Sequence, residues 1–390
     1  MHLRYRFRAY PTAPQRISLA RLFGCVRVVY NDAVAARKSA RAAGLPYPTT
    51  AMLDRRLITE AKQTPEREWL TEVSTVPLQQ ALRDCHAAYR AFFDSRRGRR
   101  RGPNVGPPRF RRRSHRQTAR FTRNGFSLRP NGRVYLAKVG ELAVRWSREL
   151  PAVPSSATVE RTATGNFFVS FVVVVEPGAE LLDPLPVPEA DTGIDLGLHE
   201  FAVLRGGKVI ENPRFFKRME RRLAKAQRML SRKTAGSANR EKARLNVARI
   251  HEKAGYRRSD WIHKHVKTIV AENQGIFVED LHVGALSRGL HAKSFREAAF
   301  GIFLRRLEVK AVRAGRSFRR VDRYFPSTRL CSACAAVTGP RGLGELKVCN
   351  WICECGAVHD RDANAELNLR REGRRLENEC RMVAAGHAET

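Results

Sequence analysis

Apolar and basic positions alternate at the start of the chain. The odd positions from 3 to 9 are apolar and the even positions from 4 to 8 are arginine. This two-residue period predicts a strand with one buried face, which ends before the proline at 11. From 15 to 43 the apolar positions recur at helical spacing, and Gly44 ends that pattern. Two more helices are predicted at about 50–61 and 77–96.

Beyond residue 120 the period returns to two. Short strands are predicted at 127–128, 134–136, 142–146, 158–161 and 167–175. The most economical arrangement of these strands with the N-terminal one is a small β-barrel. The proline-rich stretch that follows, 177–190, is typical of a linker and predicts a domain boundary.

After this linker the pattern becomes α/β. A hairpin is predicted from two strands at 192–196 and 200–204, and later strands at 275–279 and 317–321. The predicted helices are a long basic pair around Gly236, a helix with an apolar stripe at 261–270, and one at 298–314. This alternation of helices and strands indicates an α/β domain.

The net charge says more about the partners of this protein than its hydrophobic content does. Lysine and arginine total 73 against 38 acidic residues, which gives +35 and a pI near 11.0. A compact chain with this charge repels itself unless a polyanion neutralises part of it. We therefore expect a nucleic-acid partner. We expect no membrane partner, because no apolar run approaches the ~20 residues of a membrane span. We also expect no small-molecule substrate.

One segment, 96–116, is made largely of arginine, glycine and proline. It has no core of its own to offset the entropy of ordering, so it is expected to be mobile without a partner. Arg109 and Arg111 are candidate nucleic-acid contacts within it, because neutralising phosphates releases counterions. The alternative is a solvated charged loop.

Three acids lie in short apolar contexts far apart in sequence: Asp195 in a Gly-Ile-Asp-Leu-Gly turn, Glu279 after Ile-Phe-Val, and Asp362 at a helix entry. Converging carboxylates can hold two Mg²⁺ ions, one activating water and one stabilising the leaving 3′-oxygen of a phosphodiester. An acid at a strand end can also be a cap or a surface charge. The neighbouring acids offer alternative assignments: Asp191, Asp280 and Asp360.

Five of the eight cysteines fall between 331 and 355. Cys331 and Cys334 have the two-residue gap that presents two thiolates to one ion, and Cys353 with Cys355 forms a tighter return pair. This spacing predicts one structural zinc in a ribbon, with Cys349 as an alternative to Cys353. Such cysteine usage indicates a reducing, cytosolic compartment.

Longer motifs resemble one known family. They are Gly193-Ile-Asp195-Leu-Gly, Val278-Glu279-Asp280-Leu, Tyr324-Phe-Pro-Ser-Thr-Arg-Leu-Cys331-Ser-Ala-Cys334 and Trp351-Ile-Cys353-Glu-Cys355-Gly-Ala-Val-His-Asp-Arg-Asp362-Ala-Asn364-Ala. Phe23-Gly-Cys-Val-Arg-Val-Val-Tyr-Asn31 and Gly106-Pro-Pro-Arg-Phe110 also match. Together they are similar to the TnpB (OrfB) proteins of insertion sequences, relatives of type V CRISPR nucleases. The resemblance covers about 2–372.

The resemblance implies a multidomain α/β plus α+β chain. Its expected parts are a β-barrel wedge domain (1–10 and 105–182), a helical recognition domain (11–104), an RNase H-like RuvC nuclease domain (191–325 and 357–372), an inserted zinc ribbon (326–356) and a C-terminal tail (373–390). Two residues depart from the family pattern. The ribbon has Cys-x-Cys where Cys-x-x-Cys is commoner, and Glu366 stands where alanine is usual.

The activity implied by the resemblance is RNA-guided cleavage of double-stranded DNA, with a guide RNA from the transposon end and a short transposon-adjacent motif recognised by the protein. Asp195, Glu279 and Asp362 would be the catalytic acids and Mg²⁺ ligands. Five residues would face the adjacent-motif duplex: Thr75, Val76, Gln79, Thr122 and Arg123. A nucleoid-associated protein in the cytoplasm of a bacterium or archaeon is expected.

Two other functions stay open on the sequence alone. A DNA transposase or junction resolvase of the same fold would also use three acids and two metals. A guide-directed DNA-binding repressor descended from the nuclease would have the same architecture. Repressors of that origin have usually lost one or more of the acids, whereas all three are present here.

Overall fold

A computed structural model describes residues 2–100, 103–114, 116–175, 186, 188–289, 291–340 and 348–386. The chain divides into two compact units, 1–179 and 180–390, and the division falls within the predicted proline-rich linker. Among the described residues, no helix is both long enough and apolar enough to cross a membrane.

Unit 1 is built on a curled antiparallel sheet. Its strands are β1 (His2–Tyr10), β2 (Gln117–Thr122), β3 (Phe126–Leu128), β4 (Val134–Leu136), β5 (Gly140–Arg145), β6 (Ser156–Arg161) and β7 (Phe167–Val174). Their order is β2-β6-β7-β1-β5-β4-β3 in the described residues. The edge strands β2 and β3 follow each other in sequence across one short turn, and the rings of Phe126 and Phe171 lie 6.2 Å apart. The sheet therefore curls around its buried face, as the barrel prediction requires.

The helices of unit 1 lie between β1 and β2 in sequence. They are α1 (Ala13–Ala42), α2 (Thr50–Asp54), which continues into a π-helical turn at Arg55–Glu60, and α3 (Thr75–Arg96). Thr12 and Gln15 form a capping box that starts α1. Helices α1 and α3 pack on each other through their buried apolar faces, and both contact β2. The predicted helical module is thus present as an insertion between strands.

Unit 2 contains a mixed sheet. Its strands are β8 (Asp191–Ile194), β9 (Glu200–Leu204), β10 (Lys208–Glu211), β11 (Gly275–Glu279) and β12 (Ser317–Val321). Strands β8 and β12 flank β11 in parallel, and β9 pairs with β10 in a hairpin. Asp195 and Val203 exchange two backbone hydrogen bonds of 3.2 and 2.9 Å, which attaches the hairpin to β8. The order of the described strands is therefore β10-β9-β8-β11-β12.

Helices cover both faces of this sheet. They are α4 (Phe215–Ser231), α5 (Ala238–Glu272), α6 (Val283–Leu286), α7 (Ala292–Ala298), α8 (Phe300–Arg313) and α9 (Arg361–Gly386). Alternate residues of β11 show the two faces: Ile276 and Val278 join the core formed with α5 and α8, whereas Phe277 contacts α9. Two separate helices were predicted where α5 runs unbroken, because Gly255 weakens a helix without ending it.

Glycines let α9 lie directly on the sheet. A Cβ atom at Gly193 would stand 2.1 Å from the carbonyl oxygen of Glu366, and one at Gly373 would stand 2.2 Å from the ring of Phe277. Any side chain at either position would push the helix away from β8 or β11.

The predicted C-terminal tail at 373–390 needs correction. Helix α9 continues without a break from Arg361 to Gly386. Gly373 is buried against Phe277, and Arg374 pairs with Asp191 at 2.6 Å. The first residues after 372 therefore belong to the fold, because the helix that starts beside the third acid must cross the whole sheet.

Candidate functional site

The three predicted acids lie at one edge of the unit 2 sheet. Asp195 directly follows β8 and Glu279 is the last residue of β11. Since β8 and β11 are parallel neighbours, their carboxyl ends meet at the same edge. Asp362 is in the first turn of α9, which packs on both strands.

The other two acids are close enough to affect the ionisation of Asp195. Burial raises the pKa of Asp195 from 3.8 to about 7, with further contributions from the negative charges of Asp362 and Glu279. Burial also raises the pKa of Glu279, and the charge of Asp280 adds to that rise. The repulsion at Asp195 would be relieved by a divalent cation bound between the groups.

Two of the alternative acids are engaged in structural contacts. Asp191 accepts a 2.7 Å hydrogen bond from the backbone N–H of Gly275, which ties β8 to β11, and it pairs with Arg374. Asp280 pairs with Arg323 at 2.6 Å. Their carboxylates are therefore occupied in holding the fold.

The third alternative acid caps a helix. Asp360 accepts hydrogen bonds from the backbone N–H groups of Asp362 and Ala363, at 3.1 and 2.8 Å. This is the N-cap interaction that starts α9 and orients its first turn. Asp362 thus lies at the positive end of the helix dipole, which favours a carboxylate.

Arg361 is a member of the site that the sequence did not indicate. Its Nε donates to Oδ1 of Asp362 at 2.9 Å, and its charge lowers the pKa of Asp195. Its backbone N–H donates to the carbonyl of Cys349 at 2.7 Å, so the ribbon fixes its position. Arg361 therefore offsets part of the negative charge of the acid cluster.

The donor set fits Mg²⁺. Mg²⁺ prefers oxygen ligands, typically one or two carboxylates together with water and phosphate, and the three acids offer only oxygen. Among the described residues, one group of three or more His, Cys, Asp or Glu side chains has its ligand atoms all within 4.8 Å of one another, and that group consists of cysteines. The three acids do not form such a group. The carboxylates are thus spread more widely than a single-ion site needs.

Glu366 ties α9 to the strand that carries Asp195. This buried carboxylate accepts a 2.9 Å hydrogen bond from the backbone N–H of Gly193, two residues before Asp195, and pairs with Arg370 at 3.1 Å. Burial raises its pKa, while the Gly193 and Arg370 contacts oppose that rise. Glu366, which stands where alanine is usual, therefore has two partners for its buried carboxylate.

Glu366→Ala should lower the free energy of unfolding by about 2–4 kcal/mol, because it leaves a buried N–H and a guanidinium without their partner. Urea denaturation would measure the loss. Glu379→Ala is the control on the same helix, where the exposed pair with Arg375 predicts a change below about 1 kcal/mol. Equal losses in both variants would contradict the proposed role of Glu366.

The raised pKa of Asp195 predicts a pH-dependent stability. Between pH 3.8 and about 7 the folded protein binds more protons at this group than the unfolded chain, so the free energy of unfolding falls as pH rises. In Mg²⁺-free, zinc-retaining buffer at pH 8, Asp195→Asn should therefore be more stable than the parent by about 2 kcal/mol, and close to it at pH 4. Chemical denaturation across this range would test it. Asp260→Asn, in an exposed pair with Lys264, is the control; the same pH profile for the parent and Asp195→Asn would refute the prediction.

The four predicted zinc ligands form a compact cluster. The Sγ atoms of Cys331, Cys334, Cys353 and Cys355 all lie within 4.8 Å of one another. Four thiolates at this spacing suit a closed, tetrahedral zinc site. Cys349 is exposed and is not one of the four, so the geometry favours Cys353 over Cys349 as the fourth ligand.

Neighbouring polar groups support the thiolates. His359 Nε2 lies 3.0 Å from Cys331 Sγ, and the Thr338 hydroxyl lies 3.1 Å from Cys353 Sγ. The backbone N–H of Cys355, followed by the Thr338 hydroxyl, lowers the pKa of Cys353 to about 6. Contacts of this kind orient ligands and favour the charged form that binds metal.

Two asparagines one helical turn apart attach the ribbon to α9. Asn364 donates to the carbonyl of Leu330 at 2.8 Å, and Asn368 donates to the carbonyls of Ser327 and Leu330 at 2.8 and 2.7 Å. Asn364 also accepts from the N–H of Ser332 at 3.0 Å. The segment that enters the cysteine cluster is therefore fixed to the helix that carries Asp362.

In unit 1, the residues predicted to face the adjacent-motif duplex come from two segments that meet. Thr75, Val76 and Gln79 lie in the first turns of α3, and Thr122 precedes the turn at Arg123–Gly125. A Cβ at Gly125 would stand 3.2 Å from Val76, so the turn packs on α3. Lys62 and Asp54 already contact Thr75 and Gln79, at 2.5 and 3.1 Å.

Part of the basic segment contacts helix α1. Asn31 of α1 exchanges two hydrogen bonds with the backbone of Arg111, at 3.0 and 2.7 Å, and the guanidinium of Arg111 lies 3.6 Å from the ring centre of Tyr30. Helix α1 therefore supplies contacts to this part that composition does not show, while the mobility of the segment without a partner stays a prediction. Arg109 is exposed.

Three family models match parts of the chain. Residues 170–289 match the OrfB_IS605 model described as "Probable transposase", 300–369 match the "Cas12f1-like, TNB domain", and 1–45 match a model described as "Helix-turn-helix domain". In the structure, 2–45 form strand β1 and the single long helix α1.

Similar proteins match almost the full length. A Streptomyces pristinaespiralis protein named "Putative RNA-guided DNA endonuclease" is 42% identical over 94% of this chain and 88% of the relative. Escherichia coli K12 InsQ, with the same description, is 28% identical over 98% of this chain and 92% of its own. The fold is similar to that in a Cas12f1–sgRNA–target DNA complex, with a TM-score of 0.56 at 13% identity over 91% of this chain and 83% of that one.

Proposed function

The chain belongs to the TnpB (OrfB) family, and on that premise we propose that it is an RNA-guided, Mg²⁺-dependent DNA endonuclease of an insertion sequence. The guide is an RNA transcribed from the transposon end, and base pairing with that RNA selects the target strand. The protein recognises a short transposon-adjacent motif and cuts both strands of the DNA.

One observation carries this proposal: three acids from distant segments converge at one sheet edge, and repulsion between them helps to raise the pKa of Asp195. Partly buried carboxylates that raise the pKa of one of their members are typical of a site that binds a cation. The neighbouring acids that offered alternative assignments, Asp191, Asp280 and Asp360, are already engaged in a helix cap or in ion pairs.

In the proposed mechanism, Asp195, Glu279 and Asp362 would hold two Mg²⁺ ions, and the bound ions would supply activation of water and stabilisation of the leaving 3′-oxygen. Asp195 is held rigidly because its backbone is hydrogen-bonded to Val203. Arg361, paired with Asp362, is placed to balance the charge of the approaching phosphate.

The remaining parts have supporting roles. The cysteine cluster holds one structural zinc and, through Asn364 and Asn368, keeps α9 in place. In unit 1, the surface of Thr75, Val76, Gln79, Thr122 and Arg123 contacts the adjacent-motif duplex, and Arg109 and Arg111 contact nucleic-acid phosphates. The high positive charge suits a protein that binds both structured RNA and DNA.

The experiment is co-expression of the full chain with the RNA of its flanking transposon end, followed by incubation with Mg²⁺ and a plasmid that carries the guide match beside a randomised sequence. Guide-dependent linear product that disappears in Asp195→Ala would support the proposal and reveal the adjacent motif. Guide-dependent binding without cutting would indicate the repressor. Guide-independent cutting or joining of DNA ends would indicate a transposase or resolvase, the activity that one family description names.

A further inference from the structure

An aromatic side chain in unit 2, Tyr324, stands almost entirely in solvent. It is 86% exposed, the largest fraction among the large apolar and aromatic side chains in the described part of the chain. It belongs to the motif that enters the cysteine cluster, and nothing in the zinc site or the acid site uses its ring. Single exposed apolar side chains are common on protein surfaces, and what distinguishes this one is its position.

Tyr324 lies between two points that are fixed beside the acids. Three residues before it, Val321 is the parallel strand partner of Glu279. Three residues after it, the carbonyl of Ser327 accepts a 2.8 Å hydrogen bond from Asn368 of α9, the helix whose first turn carries the third acid. Three residues span at most ~11 Å and neighbouring strands lie ~5 Å apart, so the Cα atoms of Tyr324 and Glu279 are separated by no more than about 16 Å.

The turn that carries the ring is held by its own hydrogen bonds. The backbone N–H of Tyr324 donates to Oδ1 of Asp322 at 2.8 Å, and that of Phe325 donates to the carbonyl of Asp322 at 3.0 Å. The preceding residue, Arg323, pairs with Asp280 at 2.6 Å. An aromatic ring has only two side-chain torsions, so on a fixed turn it loses little conformational entropy when it binds a planar group.

The partner that suits an exposed ring beside a nuclease site is the face of a nucleobase. Aromatic side chains bind single-stranded nucleic acid by stacking, and the contact tolerates every base because each has a π-face. An endonuclease whose guide RNA selects the target must accept any sequence beside its acids. Stacking meets that requirement, whereas hydrogen bonds to base edges would restrict the sequence. Since a stacked strand rises about 3.4 Å per nucleotide, ~16 Å corresponds to about five nucleotides at most.

We propose that Tyr324 stacks on an unpaired base of the DNA strand being cut, within about five nucleotides of the scissile phosphate, and so positions that strand at the acids. The inference rests on the proposed function for the presence of the strand and for the reaction. It adds a substrate-positioning residue in unit 2, whereas the predicted nucleic-acid contacts all lie in unit 1. The ring acts on the strand alone and holds no metal ion.

The first test needs no cleavage. Full-length Asp195→Ala protein is irradiated with a 12-nucleotide single-stranded DNA that carries 5-iododeoxyuridine, and mass spectrometry locates the adducts. An adduct on Tyr324, in the tryptic peptide 324–329, supports the proposal. Absence of an adduct on Tyr324 overturns it, even if Phe325 in the same peptide reacts.

The second test is the single-turnover cleavage rate of guide-loaded protein on a linear target duplex with Mg²⁺. Tyr324→Ala and Tyr324→Leu should each lower the rate about tenfold or more, because leucine keeps apolar bulk without a π-face, and Tyr324→Trp should keep most of it. Guide-dependent DNA binding and the Mg²⁺ concentration for half-maximal rate should stay unchanged, which a displaced acid would not allow. Ile352→Ala is the control, because that side chain is 71% exposed in the same ribbon; its rate should equal the parent's.

The outcomes separate this inference from the proposed function. A parent that cuts no faster than Tyr324→Ala or Tyr324→Leu would overturn the stacking contact while the endonuclease stands. A loss in Tyr324→Ala that additional Mg²⁺ restores would also overturn it, since the change would then lie in the metal site. Cross-linking at Tyr324 in a protein that cuts no DNA under guidance would support the contact and contradict the endonuclease.

Discussion

Glu279→Gln should abolish guide-dependent DNA cleavage, whereas Asp280→Asn one residue away should leave most of it intact. The two substitutions are chemically alike and remove one negative charge each. Glu279 stands at the carboxyl end of β11, beside Asp195, while Asp280 pairs with Arg323 and Arg320. Loss of a carboxylate that holds a catalytic ion should lower the cleavage rate by about 10³-fold or more.

The measurement is the single-turnover rate on a linear duplex with saturating guide RNA and Mg²⁺. Asp195→Asn and Asp362→Asn should show the same loss as Glu279→Gln, and guide-RNA binding should be unchanged in all three. Asp360→Asn is a further comparison, because an asparagine can still cap α9. If Asp280→Asn were as inactive as Glu279→Gln, the assignment of the second acid would be wrong.

Cys334→Ser should remove the zinc and most of the cleavage activity together. Three thiolates cannot complete the tetrahedral site, so zinc content should fall from about one ion per chain to well below half. Without the ion, the segment at Ser327 and Leu330 loses the geometry that Asn364 and Asn368 bind. The first turn of α9, with Asp362, is then free to shift, and cleavage should drop by about tenfold or more.

Cys349→Ser is the matched control, because that exposed thiol lies in the same ribbon and outside the cluster. It should keep both zinc and activity. Zinc content is measured by atomic emission on the purified protein, and cleavage on the same preparation. Cys334→Ser protein that retained its zinc and its activity would contradict both the ligand assignment and the link between ribbon and active site.

The sequence predicted the strands well because they depend on local patterns, and the same patterns show why the acids lie at one edge, while their catalytic role stays a prediction. Asp195 and Glu279 each end an apolar run of strand length, and two parallel strands with acids at their carboxyl ends bring those acids to one edge. The cysteine spacing similarly identified the cluster. Only the choice between Cys349 and Cys353 needed the fold, since both spacings are physically reasonable.

Contacts between distant segments could not be predicted in the same way. Nothing local shows that Glu366 bonds to Gly193, or that Asn31 orders Arg111. Arg361 is part of a motif, yet its pairing with Asp362 depends on Cys349 of the ribbon, whose carbonyl holds the Arg361 backbone. For the contact between the ribbon and α9, the sequence signal available was the pair Asn364 and Asn368, because their four-residue spacing places both amides on one helix face.

The unbroken course of α9 sets a lower limit on how short this protein can be made. At about 1.5 Å per residue the helix spans roughly 39 Å, with Asp362 near its first residue and the sheet contacts of Gly373 and Arg374 at mid-length. Truncation that ends the chain at 372 would free Asp191 of its arginine partner and withdraw the helix from Phe277. Attachments to the C-terminus, by contrast, would be carried well away from the acids by the last turns of the same helix.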